Sequence, residues 1–252
     1  FNTSGKLYIG GSFTSVEGIA RSNIAKLSVV DGKVDLTFNF GASSIVRVLE
    51  LDGSGYLYAG GDFTSIGGQP RNRIAKLSII DGSADSTFNP GAGSSVNCLA
   101  LDGGGNIYAG GSFTIIGGKS ISFTAKLSTA DGLVDLAFNA GSNSVVYALA
   151  LDETGNIFVG GNFTVIGGQS INRLAKLNTA NGTADIAFNP NASALVSALA
   201  LDKAGNIYAG GSFISIGGQA RSYIAKLNAT NGTAYTAFNA SADNTINRLV
   251  LD

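Results

Sequence analysis

The sequence predicts an all-β fold built from five copies of one unit, and three observations predict it. The first is a repeat with a period of 50 residues that runs through all 252 residues without an insertion. The second is a set of four short strand candidates in each copy, separated by turn-forming residues. The third is that no stretch carries apolar residues at the i, i+3, i+4 and i+7 spacing of an amphipathic helix over three turns. Each copy is therefore predicted to form a small antiparallel sheet.

The repeat is defined by glycine doublets and by two further landmarks. The segments "LYIGGSF", "LYAGGDF", "IYAGGSF", "IFVGGNF" and "IYAGGSF" begin at Leu7, Leu57, Ile107, Ile157 and Ile207. The lysines of "AKL" keep the same spacing, at Lys26, Lys76, Lys126, Lys176 and Lys226, as do five Phe-Asn pairs that begin at Phe38. The chain is predicted to be a single domain, 1–252, with repeat units of about 1–50, 51–100, 101–150, 151–200 and 201–252.

The four strand candidates follow one another clearly in residues 45–94. "IVRVLELD" ends in Asp52, whose side chain can bond its own backbone two residues on, and a "GSG" turn follows. "YLYAGGDF" is the second candidate, and its glycine doublet indicates a bulge or the close approach of a neighbouring sheet. "RIAKLSII" is the third, and the Asp81-Gly82 pair after it is a strong hairpin signal. "STFNP" is the fourth, and Pro90 ends it.

Four short antiparallel strands in a unit of this length are typical of a β-propeller blade. A parallel β-helix is the alternative, but its coils are usually shorter and do not need a hairpin turn twice per coil. The sequence therefore predicts a five-bladed β-propeller with four antiparallel strands per blade.

The two ends of the chain predict how the ring closes. Counted by fifties, Phe1 and Asn2 correspond to Leu51 and Asp52, so the chain begins at the end of a first strand. The missing first strand is "TINRLVLD" at the C-terminus. We expect this C-terminal strand to complete the first blade and close the ring, because closure pairs two otherwise open sheet edges.

The closure would place two charges on adjacent blades. Glu50 and Arg248 carry the only charges at positions 48 and 50 of the five first strands. We predict an ion pair between them near the closing seam. The alternative is that both lie in a solvent-filled channel.

Composition excludes some classes of protein. Charged residues make up 13% of the chain, against roughly 25% in an average soluble domain. The 16 basic and 17 acidic side chains nearly cancel, so no basic excess indicates nucleic-acid binding. No apolar run approaches the roughly 18 to 20 residues that span a bilayer, so no membrane insertion is predicted. The single cysteine, Cys98, lies in an apolar alternation and is predicted to pack in the core.

The recurring motifs resemble a known repeat. "DGxG", "GGxFT", "GGxxRxxIAKL", "DGxxDxxFNPG" and "V..LALD" recur at fixed offsets, and together they resemble the delta-60 repeat, also described as a domain-of-unknown-function β-propeller of bacterial surface proteins. The resemblance covers essentially the whole chain. It implies a propeller fold, a secreted or surface-anchored protein, and no established reaction. The fifth repeat departs from it with Tyr235 where the second Asp of "DGxxD" stands.

Catalytic and metal chemistry are not expected. The chain has no histidine, which removes the commonest general base and transition-metal ligand. The first strands offer Glu50 alone, whereas a glycosidase needs two carboxylates. The "DGxxD" segments carry too few ligands for an EF-type calcium loop, so turn formation explains them. No cofactor and no metal are predicted.

The five "AKL" lysines allow two interpretations. We favour pairing of each amine with an Asp of its own blade, while the lysine stem covers apolar surface. The alternative is a ring of equivalent charges that binds an anion.

The loops that join the blades differ from repeat to repeat, whereas the other loops are nearly uniform. The variable polar positions that follow them are Arg47, Asn97, Tyr147, Ser197 and Asn247. We predict a ligand site there, at the entrance to the channel, with contributions from Arg21, Arg71 and Arg221. Small polar loops are also typical of any solvated connection.

Two functional classes follow. The first is a non-enzymatic extracellular or cell-surface recognition or adhesion module for glycans or another surface protein, in which five similar weak sites gain by multivalency. The second is a passive scaffold or spacer without a ligand, either a natural fragment or an engineered repeat. In both cases we expect a monomeric propeller within a larger chain.

Overall fold

The computed structural model describes residues 5–202 and 204–251, and their regular secondary structure is β throughout. No helix in these residues is long and apolar enough to cross a membrane. The strands are, in chain order, β1 Lys6–Gly10, β2 Ser15–Val16, β3 Ile19–Ala20, β4 Ile24–Ser28, β5 Val46–Leu51, β6 Tyr56–Gly61, β7 Ser65–Ile66, β8 Gln69–Pro70, β9 Ile74–Ser78, β10 Val96–Leu101, β11 Asn106–Gly111, β12 Thr124–Ser128, β13 Val146–Leu151, β14 Asn156–Gly161, β15 Leu174–Asn178, β16 Val196–Leu201, β17 Asn206–Gly211, β18 Ser215–Ile216, β19 Gln219–Ala220 and β20 Ile224–Asn228.

Each repeat contributes one main sheet. The sheet orders are β1-β4, β5-β6-β9, β10-β11-β12, β13-β14-β15 and β16-β17-β20, and three small hairpins pair β2 with β3, β7 with β8 and β18 with β19. The first three strand candidates of the repeat are therefore confirmed. The chain divides into two compact units. The first runs to Ile107 and adds Phe113–Ser120 and Leu127–Val134; the second holds Tyr108–Ser112, Ile121–Lys126 and the chain from Asp135 onward.

The predicted fourth strand is wrong. In the second repeat the outer segment makes one isolated bridge, Leu77 with Ala84, and no strand follows it over residues 86–90. The reason lies in the next side chain: the Asp85 carboxylate accepts the Thr87 amide at 2.8 Å. This bond turns the chain inward, so the amide of residue 87 is satisfied by a side chain instead of a neighbouring strand. Phe88 then enters the core with no exposed surface.

The glycine doublets mark both a β-bulge and the close approach of a neighbouring sheet, the two features that the sequence indicated. The pairing of β5 with β6 shifts register between Val46 and Val48, opposite Gly60 and Gly61, which is a β-bulge. A Cβ on Gly60 would also lie 2.7 Å from the Cγ1 atoms of Val48 and Val96. Only glycine allows the first strand of the next repeat to approach this closely.

Aromatic pairs and aliphatic residues fill the core of each unit. In the second repeat, Tyr58 and Phe88 meet edge to face with ring centroids 5.4 Å apart, and each of the other repeats has the equivalent pair. Around them, strand residues such as Ile74 and Leu77 have no exposed surface. Cys98 is 4% exposed, which confirms its predicted place in the core.

The C-terminal segment 246–251 forms no strand, and the first sheet has two strands where the others have three. The predicted ring closure is therefore not confirmed. Phe1, Asn2 and Asp252, which also entered that prediction, lie outside the described residues.

The C-terminal segment nevertheless packs on the fifth repeat as a first strand packs on the repeat before it. The Ile246 amide donates to the Gly211 carbonyl at 3.2 Å, and the Val46 amide donates to the Gly11 carbonyl at the same distance. The segment therefore takes the position of a first strand within the second unit.

Candidate functional site

The lysines of "AKL" form ion pairs within their own repeats, as we favoured. The amine-to-carboxylate distances are 3.2 Å for Lys26–Asp35, 3.7 Å for Lys76–Asp85, 3.0 Å for Lys126–Asp135 and 3.6 Å for Lys176–Asp185. In the fifth repeat, where Tyr235 replaces the aspartate, Lys226 pairs with Asp202 at 3.7 Å. These amines are engaged with carboxylates, which argues against a ring of anion-binding charges.

A second contact ties the clusters of the first three repeats to the repeat that follows each of them. The Tyr58 hydroxyl donates to the Thr129 carbonyl at 3.2 Å, and the Lys76 amine donates to the same oxygen at 3.0 Å. Burial, with a smaller contribution from the Asp52 charge, raises the pKa of Tyr58 to about 12, so the phenol keeps its proton and donates. Equivalent tyrosine bonds join Tyr8 to Ile79 and Tyr108 to Thr179.

Four of the five variable residues predicted as a ligand site lie on first strands, and Asn247 lies in the C-terminal segment that forms no strand. At least two of the five are occupied within the chain. Arg47 makes a bidentate pair with Asp62, at 2.9 and 2.6 Å. The Ser197 hydroxyl donates to the Ile246 carbonyl at 2.7 Å. Of the others, Asn97 is buried, Tyr147 is half-buried and Asn247 is exposed. In the first unit β5 lies beside β10, and in the second β13 lies beside β16, so each unit brings two of these positions together.

Arg21, Arg71 and Arg221, predicted to assist a ligand site, are structural residues instead. All three are buried, and the Arg71 guanidinium donates to the carbonyls of Pro70 and Asp85 at 2.8 and 2.7 Å. Its Nε is buried without a partner in the described part of the chain, as is that of each of the other two arginines. These side chains anchor the small hairpins to the segment after the outer turn, and only 6–7% of the surface of each residue is exposed.

The predicted Glu50–Arg248 ion pair stays a prediction. Glu50 is half-buried in β5, opposite Tyr58 of β6. Arg248 is exposed in the C-terminal segment.

A cavity of about 490 Å³ opens in the second unit, between the fourth and fifth repeats. Its walls come from the two turns after the first strands, one lysine of β15 and the outer turn of the fifth repeat. The lining residues are Leu151, Asp152, Glu153, Thr154, Lys176, Leu201, Asp202, Gly205, Ala229 and Thr230. We call this space the 4/5 cavity.

Two of the cavity carboxylates are fixed by their own turns. Asp152 accepts the amides of Thr154 and Asn156 at 2.9 and 2.8 Å, and Asp202 makes the same bonds to Ala204 and Asn206. Burial raises the pKa of Asp152, but the bonds from Asn156 and Thr154 outweigh burial and lower it. Asp152 is therefore ionised at neutral pH, and it presents a hydrogen-bond acceptor at a fixed position.

The sequence prediction missed the 4/5 cavity, although the sequence carries a signal for it. Position 8 of the repeat is tyrosine in four copies and Phe158 in the fourth, and position 29 is valine, isoleucine, threonine, threonine and then Ala229. Phe158 lacks the tyrosine hydroxyl, and Ala229 lacks the hydroxyl and methyl groups of threonine. Both residues belong to the junction of repeats four and five. Comparison of neighbouring repeats, instead of a search for reactive side chains, would have pointed to this place.

No group of three or more His, Cys, Asp or Glu residues is placed to hold a metal ion within residues 5–202 and 204–251. The "DGxxD" aspartates cap turns, as the sequence indicated: Asp81, for example, accepts the Ser83 amide at 3.1 Å.

Comparison with known proteins identifies the architecture. A family model described as "Domain of unknown function (DUF5122) beta-propeller" matches residues 3–38, 53–88, 154–188 and 205–238. Among solved structures, the crystal structure of the WD40 beta propeller domain of Doa1 is similar, with a TM-score of 0.66 and 14% identity, over 97% of this chain and 68% of that one. At this identity the likeness shows the fold alone, which is a β-propeller. No curated protein matches the chain.

Proposed function

From the premise that the chain belongs to the DUF5122 β-propeller family, a family of unknown function, we propose that it is a non-enzymatic recognition or adhesion module with glycans as its ligand class. The location that we propose, outside the cell or on its surface, is carried over from the resemblance to the delta-60 repeat of bacterial surface proteins. Another surface protein is the alternative partner.

One observation carries the proposal: a constant framework presents a variable residue. The Lys–Asp pair and the edge-to-face aromatic pair recur from repeat to repeat, while position 47 changes from Arg to Asn, Tyr, Ser and Asn. A surface that recognises a ligand is expected to present variable residues on strands that lie side by side.

We further propose that the fold is a closed ring of five blades, in which 246–251 pairs with β1. The support is the packing of Ile246 on the fifth repeat, which matches that of Val46 on the first. Leu49 lies opposite Ala59 in the second repeat. Closure in the same register places Leu249 opposite Ile9, the residue that corresponds to Ala59 in the first repeat. Closure also places Glu50 and Arg248 on adjacent blades, as their predicted ion pair requires.

A glycan array tests the proposed function. The 252-residue chain is applied to the array beside Tyr147→Ala, with Thr87→Ala as the control because Thr87 is exposed and lies on the outer turn. We call the segments that carry Arg47, Asn97, Tyr147, Ser197 and Asn247 the position-47 strands. Binding that is lost in Tyr147→Ala and kept in Thr87→Ala supports recognition through the position-47 strands. A blank array from folded protein contradicts it.

A passive scaffold is the second candidate. It is favoured because two of the residues at position 47 of the repeat already bond to other groups of the chain. Arg47 is held by Asp62 and Ser197 by the Ile246 carbonyl, so both contribute to the fold without a ligand. A blank array with unchanged thermal stability in Tyr147→Ala supports this candidate.

A further inference from the structure

The 4/5 cavity lies where a contact made at other junctions cannot form. At the junction of repeats two and three, the Tyr58 hydroxyl bonds to the Thr129 carbonyl. In repeat four the equivalent residue is Phe158, which has no hydroxyl, so the Ala229 carbonyl cannot receive this bond. Ala229 is one of the residues that line the cavity.

A second hydroxyl is absent at the same junction. The Thr129 hydroxyl donates to the Gly105 carbonyl at 3.0 Å, and the Thr179 hydroxyl donates to the Gly155 carbonyl at 2.7 Å. Ala229 replaces this threonine in repeat five, so the Gly205 carbonyl accepts the Ala229 amide, at 3.2 Å, but no hydroxyl from residue 229. Gly205 also lines the cavity.

Two residues whose counterparts in other repeats accept a side-chain hydroxyl at the backbone carbonyl thus line one cavity. The lining adds the Thr154 and Thr230 hydroxyls and the Lys176 amine, which lies 3.6 Å from Asp185. Leu151 and Leu201 contribute apolar surface. A ligand with several hydroxyl groups on a compact ring supplies the missing donors and covers the leucines.

Charge narrows the ligand class. Among the described residues of the lining there are three carboxyl groups, on Asp152, Glu153 and Asp202, and one ammonium, that of Lys176. Asp202 also pairs with Lys226 at 3.7 Å. An anionic ligand would meet like charge in a confined space, which is unfavourable. A volume of about 490 Å³ lies within the range of small-molecule sites, roughly 300 to 1,000 Å³.

We propose that the 4/5 cavity binds a neutral monosaccharide, whose hydroxyl groups replace the tyrosine and threonine hydroxyls present at the junctions of repeats two and three and of repeats three and four. The cavity is separate from the position-47 strands. Tyr147 lies near the start of β13 and Leu151 at its end, about 13 Å along the strand at roughly 3.3 Å per residue. The proposal therefore stands or fails independently of the proposed function.

The chain itself supplies the variant that restores the two hydroxyl groups at this junction. Phe158→Tyr combined with Ala229→Thr gives this junction the residues found at the junction of repeats two and three. The control is Tyr58→Phe, which removes one hydroxyl at a different junction and leaves the cavity intact. Binding of D-glucose, D-galactose, D-mannose and D-glucuronate is measured by saturation-transfer NMR and titration calorimetry.

We expect at least one neutral sugar to bind the parent chain and Tyr58→Phe equally. The double variant should bind it at least about tenfold more weakly, as loss of one or two hydrogen bonds implies. Glucuronate should also bind at least about tenfold more weakly. If the double variant does not fold, Ala229→Thr alone replaces it.

Four results would overturn the proposal. Three of them are no binding of any of the three neutral sugars, undiminished binding by the folded double variant, and glucuronate binding as tight as that of glucose. Binding lost in Tyr147→Ala but kept in the double variant belongs to the position-47 strands, and it too overturns the proposal for the cavity.

Discussion

Thr124 occupies a buried position at the start of a third strand that the other repeats fill with isoleucine or leucine. It is 1% exposed, and its hydroxyl oxygen has no hydrogen-bond partner in the described part of the chain. A buried hydroxyl without a partner costs free energy that an apolar group of the same shape does not. We expect Thr124→Val to raise the free energy of unfolding by about 1 kcal/mol, measured by denaturant titration.

Thr129 provides the matched control for that substitution. Its hydroxyl donates to the Gly105 carbonyl at 3.0 Å, so Thr129→Val removes a bond that is made. We expect it to lower the free energy of unfolding by roughly 0.5–1.5 kcal/mol. Equal effects of the two substitutions would contradict this explanation.

Asp35 links the stability of the first repeat to pH. The bond from the Thr37 hydroxyl, at 2.6 Å, and the amine of Lys26 outweigh burial and hold the pKa of this carboxyl well below its usual range. A lowered folded-state pKa contributes stability that is present above the usual carboxyl value of about 4 and is lost as the pH falls through the folded-state value. Asp35→Asn should therefore destabilise the protein more at pH 7 than at pH 2.

Thermal melts of the parent chain, Asp35→Asn and Thr37→Val between pH 2 and pH 7 measure this effect. Thr37→Val removes the largest cause of the low pKa, so its acid transition should begin at a higher pH than that of the parent. A constant difference in melting temperature between Asp35→Asn and the parent at every pH would contradict the assignment.

At the scale of the element, the same loop takes two forms, and Arg71 is one of the residues that differ between them. The second repeat has Arg71 and the two-residue hairpin β7-β8, whereas the third has Ile121 and a single bridge between Ile116 and Lys119. The Arg71 amide also donates to the Thr64 carbonyl at 3.0 Å. We expect Arg71→Ile to keep the fold and reduce the hairpin to the single-bridge form, because isoleucine fills this position in the third and fourth repeats.

Hydrogen exchange measures that change within one molecule. The amide of residue 71 should lose protection in Arg71→Ile, while the equivalent Arg221 amide, which donates to the Ile214 carbonyl at 2.9 Å, should keep its protection. Unchanged protection at residue 71 would mean that the arginine does not determine the hairpin.

The glycine doublet gives a second prediction at this scale. A Cβ on Gly60 would lie 2.7 Å from both Val48 and Val96, so Gly60→Ala must displace one of two packed strands. We expect a loss of about 1–3 kcal/mol in the free energy of unfolding. Gly104→Ala is the control, since its nearest contact would be an ordinary 3.5 Å to Asp102.

The same elements explain which parts of the structure the sequence could predict. Strands one to three were predictable because alternation and turn residues act locally. The fourth strand was not, because the Asp85 side chain supplies the bond that a strand partner would have supplied. The arginines were assigned to a site because their chemistry suits ligands, and sequence does not report that Arg71 is buried. The 4/5 cavity lies at the junction where Phe158 and Ala229 lack hydroxyl groups found in other repeats, which only a comparison between repeats makes visible.

At the scale of the whole molecule, the proposed ring closure has a direct test. The register of β5 with β6 pairs Leu49 with Ala59, and closure transfers this pairing to Leu249 and Ile9. In a Cys98→Ser background, which removes the one native thiol, Ile9→Cys with Leu249→Cys should form a disulfide within one chain. The melting temperature should rise on oxidation, because the bond joins distant parts of the unfolded chain.

The control for closure shifts one partner by a single residue. Side chains of neighbouring strand residues point to opposite faces, so Ile9→Cys with Val250→Cys should not form the bond. Mass spectrometry and non-reducing electrophoresis separate the outcomes. Disulfides that form only between chains would contradict a closed ring and would indicate that β1 pairs with the C-terminal segment of another copy. A disulfide that forms within one chain for Ile9→Cys with Leu249→Cys, and not for Ile9→Cys with Val250→Cys, supports five blades. Ile9 faces Leu249 only if 246–251 is the first strand of the blade that contains β1 and β4.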